Sequence, residues 1–165
     1  MNASLRHGRL RDRRGFTLIE MIVVVAIVGV LAAAAQPLME LQSRRQKELE
    51  LRQGLRTLRA ALDTFRQAAV DGKIAPPDND SGYPPNLRVL VDGVADAKAP
   101  QQRKLYFLRR MPRDPFADPS LAAAETWGLR SYDSPPDTPQ PGRDVFDVYS
   151  RADGIGLDGT PYRDW

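Results

Sequence analysis

The sequence predicts an α+β chain: one long N-terminal helix, membrane-spanning in its first half and amphipathic in its second, packed on a small antiparallel β-sheet. Three observations predict it. Phe16 to Ala35 is an unbroken apolar run with a single ionisable group, Glu20. Leu51, Leu55, Leu58, Leu62, Phe65 and Ala69 then recur at alternating intervals of four and three, one stripe of a helix. Thirteen of the 14 prolines lie from Pro76 onward, which confines long helix to the first half and leaves loops and short strands to the rest.

The N-terminal element comes first. Residues 1–15 carry Arg6, Arg9, Arg11, Arg13 and Arg14 against Asp12, a local charge of +4 in a chain whose total is +3. A basic leader before a near-neutral body is the pattern of a membrane-directed chain rather than of a nucleic-acid reader. As a helix the following 20 residues reach about 30 Å, the thickness of a hydrocarbon core. The arginines should stay cytoplasmic and place the body across the membrane. An ordinary secretory signal has a shorter apolar stretch with its cleavage site behind it. Here the run is long enough to span, so the expected cut precedes it, at Gly15. Glu20 needs a reason to be where it is, because an ionised carboxylate at the centre of a span costs about 2.5–3.5 kcal/mol. Cleavage would create a counter-charge, the α-amine of Phe16. The alternative is a carboxylate at the interface, facing headgroups.

Pro37 should bend the helix, since it lacks an N–H and clashes one turn back. The helix, from about Phe16, then continues to Val70, with Arg44, Arg45, Lys47, Glu48, Glu50, Arg52 and Arg59 on the face opposite the stripe. Gly72 and Pro76-Pro77 end it. Three segments follow: a leader over 1–15, a membrane segment over 16–37 and a body over 38–165. Within the body, Leu87, Leu90 and Val91 mark a short helical patch, and Leu105 to Met111 a second apolar patch. Trp127 to Tyr132 reads as a strand start and Val145 to Tyr149 as the clearest strand. Ser134 to Arg143, with four prolines, reads as a surface loop.

Composition narrows the function. There is no cysteine, hence no disulfide, thiolate nucleophile or cysteine-ligated zinc. The single histidine is His7, in the leader, so a histidine-based triad or metal centre has no residues to use. Any metal site must be built from oxygens. Asp63, Asp71, Asp78 and Asp80 are too scattered to suggest a catalytic carboxylate pair.

Arg14-Gly15-Phe16-Thr17-Leu18-Ile19-Glu20, continued through Met21 to Pro37, resembles the class III signal of type IV pilins and type II secretion pseudopilins. The body resembles the major, G-type pseudopilin in Tyr83-Pro84, Met111-Pro112-Arg113-Asp114-Pro115, Trp127-Gly128 to Tyr132, and Asp147-Val148-Tyr149-Ser150 to Asp153-Gly154. It departs from that pattern where Phe116 to Thr126 intervene before Trp127, and in lacking a Gly-Gly-rich acidic tail. The absence of cysteines favours the pseudopilin over adhesive pilins with a C-terminal disulfide loop.

The resemblance implies a pilin-like fold and cleavage between Gly15 and Phe16 by a prepilin peptidase, followed by N-methylation of Phe16. It implies that Glu20 meets the Phe16 amine of a neighbouring copy, and that the chain is a non-enzymatic subunit of a periplasmic pseudopilus. That filament would be assembled from the inner membrane with further copies of itself, minor pseudopilins and an inner-membrane assembly platform. It also implies Ca²⁺ in the C-terminal loop. Asp153 matches the family's Asp-Gly ligand, while Asp158 and Asp164 approximate the others. The same Asp-Gly pairs read equally as plain turns. Arg103, Lys104, Arg109, Arg110 and Arg113, beside Tyr106 and Phe107, are expected to be a solvated or subunit-facing surface; nucleic-acid phosphates are the other ligand such a cluster could take. The rival functions are a minor pilin or pseudopilin, a DNA-uptake pilin among them, and a membrane-anchored enzyme.

Overall fold

The helical half of the sequence forms one element, α1, Leu18–Val70, of 53 residues. The computed structural model describes residues 15–99 and 103–165. The expected leader as far as Arg14 lies outside them. α1 keeps helical backbone across Pro37, whose side chain, where the bend was expected, is also outside those described. The chain divides into two compact units after Gln42.

In the first unit, Thr17 starts the helix. Its carbonyl accepts the Met21 N–H at 3.2 Å and its hydroxyl accepts the Glu20 N–H at 3.3 Å, satisfying two donors that a helix start leaves open. Every described side chain from Phe16 to Ala33 is exposed, and by length and composition this part of α1 can cross a membrane.

In the second unit, α1 supplies the floor of the core. Leu51, Leu55, Leu58, Leu62 and Phe65 of the expected stripe are buried, joined by Ala61 and Ala68, while Ala69 sits at the edge. Gly72, at φ +63°, closes the helix: its N–H reaches Ala69 O at 3.0 Å and the Lys73 N–H reaches Ala68 O at 2.8 Å. This pair of reversed bonds needs a left-handed residue between them, which glycine adopts without strain. The short α2, Arg88–Asp92, buries Leu90, whose carbonyl accepts the N–H groups of Phe107 and Leu108.

The expected single sheet is two small ones. β1 (Val94–Ala95) pairs antiparallel with β2 (Lys104–Leu105), and β3 (Trp127–Arg130) with β4 (Asp147–Ser150). Prolines between β2 and β3 and between β3 and β4 lack the N–H that a longer ladder would need, so the pairs stay short. Residues 134–143 have no regular structure, as the proline count predicts. The β3–β4 pair reaches α1 through Trp127. A Cβ built on Gly54 would lie 3.0 Å from its Cη2, and its Nε1–H donates to Pro112 O at 3.0 Å. Val145, Val148, Ile74, Tyr83, Leu87, Leu108 and Tyr162 complete the core.

Candidate functional site

Two places carry the residues that the sequence singled out. The first is the start of α1. Gly15 lies in open space, since a Cβ built on it would meet nothing within 4 Å, and Phe16 is 76% exposed. Among the described residues the Gly15–Phe16 junction is therefore uncovered, next to the helix start. Glu20 lies in the first turn, where a carboxylate meets the positive end of the helix dipole. Thr17-x-x-Glu20 has the spacing of a capping box, a local signal the sequence reading did not use. Among the described residues the Glu20 side chain makes no hydrogen bond or ion pair within the chain.

The second place is the C-terminal segment. It folds back as a tight turn with a bridge between Ile155 and Pro161, and it lies along the side of α1. Four polar residues of the helix seat it. Arg44 donates to Ile155 O and, from Nε at 3.3 Å, to the Tyr162 hydroxyl. Glu48, buried, accepts the Leu157 N–H at 2.9 Å and the Tyr162 O–H at 3.0 Å. Arg52 pairs with Asp158 at 2.5 Å and lies 4.0 Å over the Trp165 ring. Arg59 holds Asp147 at 2.8 Å, Val148 O at 3.1 Å and the main-chain oxygen of Trp165 at 2.7 Å. The sequence assigned these four to the face away from the core. That assignment is corrected: Glu48 precedes Leu51 by three and so extends the apolar stripe.

The carboxylates expected to hold calcium are not brought together. Asp158 is committed to Arg52 through Oδ2 and to the Thr160 N–H through Oδ1. Asp164 lies 3.8 Å from Arg163, and Asp153 is exposed. No group of three or more acidic or histidine side chains among the described residues is placed to hold a metal. Four of the loop's carbonyls are already acceptors: Gly154 O for Tyr162, Ile155 O for Arg44, Gly156 O for Gly159 and Thr160 O for Gly156. Calcium takes six to eight oxygens, and the residues so arranged do not fit it.

The burial of two acids, Asp114 of the Met111–Pro115 motif and Asp144, was not foreseen from the sequence, because neither sits in a periodic pattern. Asp114 is fully buried, accepts the Phe116 N–H at 2.8 Å and the Ser150 hydroxyl at 2.5 Å, and so ties the 112–116 turn to the end of β4. Asp144 accepts the Ser131 hydroxyl at 2.7 Å and the Tyr132 N–H at 2.9 Å. Burial pushes its carboxyl up, but hydrogen bonds from Ser81, Ser131 and Tyr132, with Arg143 nearby, hold it below the ordinary carboxylate range. Of the basic cluster, Arg109 and Arg110 are exposed beside an open groove of about 750 Å³ between α1 and residues 107–113. Lys104 and Arg113 are partly spent on main-chain oxygens, those of Asp92 and Leu121.

Residues 10–36 match the prokaryotic N-terminal methylation motif. The chain is 30% identical over 150 residues to type II secretion system core protein G of Pseudomonas aeruginosa, an alignment covering 90% of this chain and 87% of that protein. It is 26% identical over 112 residues to the core protein G of Klebsiella michiganensis, covering 66% of this chain and 71% of the other. A type IV major pilin protein, PilA of Myxococcus xanthus, is 44% identical over 62 residues, 37% of this chain and 28% of the pilin. No solved structure matches.

Proposed function

The chain belongs to the type II secretion system core protein G family, and from that premise we propose that it is a filament subunit of the periplasmic pseudopilus, cut between Gly15 and Phe16 and N-methylated at Phe16. The observation that carries this reading is the first part of α1. It is an apolar helix, exposed at every described side chain from Phe16 to Ala33, with one carboxylate in its first turn. Such a surface is covered by lipid before assembly and by the same helix of other copies after it. The leader arginines set the body in the periplasm. Glu20 pairs with the amine of a neighbour's Phe16, so that two charges that are costly in hydrocarbon neutralise each other. The work is assembly and not catalysis. The partners are further copies, minor pseudopilins, the assembly platform and the prepilin peptidase.

The near-complete coverage of a core protein G, against 28% of the pilin, favours secretion over a type IV pilus. Mass spectrometry of the protein extracted from membranes tests the processing. The expected mature chain starts with N-methyl-Phe16; an intact Met1 in a host with active prepilin peptidase would overturn it. A bulky residue at Gly15 should block the cut, because the uncovered junction must enter the peptidase.

A further inference from the structure

The arrangement beneath residues 153–165 differs from a metal-held loop in a specific way: the Asp158 carboxylate and the carbonyls of Gly154, Ile155, Gly156 and Thr160 already have protein donors. Arg44, Glu48, Arg52 and Arg59 are offset by 0, 4, 8 and 15 residues on α1. At 100° per residue they fall within an arc of about 80°, one polar seam beside the apolar stripe. We propose that in this chain the arginines of that seam stand where a divalent cation would, so that the C-terminal segment is ordered without calcium.

The chemistry of the seam supports this. A guanidinium offers up to five N–H donors in a planar fork, enough to take a carboxylate and a carbonyl together. Arg59 does so with the Asp147 carboxylate and the oxygens of Val148 and Trp165. Arg52 meets the Asp158 carboxylate and covers the Trp165 ring, an added cation–π contact. Arg44 takes the Ile155 carbonyl. Glu48 supplies the complementary acceptor for the Leu157 N–H, so the seam satisfies donors and acceptors of the same turn. The turn itself is tight. A Cβ on Gly156 would stand 2.3 Å from Trp165 Cζ2 and 2.8 Å from Asp158 Oδ1, and Gly159 has φ +84°.

Hydrogen exchange of peptides covering 153–165, in the full chain held in detergent micelles, tests this. Millimolar Ca²⁺ and millimolar EGTA should give the same exchange rates. Arg52→Ala should speed exchange about threefold to tenfold in both, the size expected when a half-exposed ion pair and its ring contact are lost. Asp158→Asn should loosen the segment similarly, and the double variant should add little beyond either single one, because both remove the same contact. Exchange slowed tenfold or more by Ca²⁺, with the slowing removed by Asp153→Ala or Asp158→Asn, would overturn the proposal. So would an Arg52→Ala chain whose C-terminal exchange is unchanged. Neither readout depends on filament yield, so the outcome is separate from that of the assembly reading.

Discussion

Asp114 shows what a single buried acid does in this body. Its carboxylate receives the Ser150 hydroxyl and the Phe116 N–H with no solvent at hand, and its own N–H reaches Thr126 Oγ1 at 3.2 Å. Asp114→Ala would leave the Ser150 hydroxyl and the Phe116 N–H without that partner, which costs about 1–3 kcal/mol for each group stranded. Chemical denaturation should show that loss of stability, whereas replacing the exposed Asp133 should leave stability within about 0.5 kcal/mol. Asp144 adds a pH dependence. Its folded carboxyl titrates below its unfolded one, so it contributes stability above the ordinary aspartate range, and that contribution is lost as pH falls through the depressed folded value. The acid-side fall in melting temperature should be shallower in Asp144→Asn than in the parent. An equal slope in both would remove Asp144 from the account.

At the scale of elements, the sequence and the structure agree where periodicity encodes burial. Leu51 through Phe65 face the core because intervals of three and four return to one side of a helix. The strand around Val148 was legible for another reason, the β-branched and aromatic residues of Val145 to Tyr149, though the ladder itself runs over Asp147–Ser150. What the sequence concealed is the fate of the polar residues. Arg52 and Asp158 are 106 positions apart, and Arg44 and Tyr162 are 118 apart; no local pattern ties such residues before the chain has folded. The calcium expectation came from the family resemblance of the Asp-Gly pairs, which a turn and a ligand loop share, and the partner of Asp158 lies on another element. The Trp127–Gly54 contact is another such pairing. Gly54 is a poor helix former, yet a methyl there would already crowd the indole at 3.0 Å. Gly54→Leu should therefore destabilise the body by about 1–3 kcal/mol, read from denaturant melts, because the ring is held by its bond to Pro112 O and cannot move away freely.

For the whole molecule, the division after Gln42 separates two kinds of work. The body's core is built from residues 51–162, and among the described residues none of its buried side chains comes from the apolar run. Glu20 makes no hydrogen bond or ion pair with its side chain among the described residues. A change there can alter assembly without touching the fold. Glu20→Leu should insert as well as the parent, since removing a charge eases burial in lipid, and the denaturation of its body should be unchanged. Its filaments should be lost, because the neighbour's Phe16 amine would then lie in hydrocarbon without a counter-charge. Asp114→Ala should do the reverse, lowering the melting temperature while the molecules that remain folded still assemble. Sheared-filament yield and thermal unfolding, measured on both variants in one host, give the comparison. Normal filament yield from Glu20→Leu would mean that the carboxylate only faces headgroups, and the registration of one copy on the next would then rest on the packing of the exposed apolar helix.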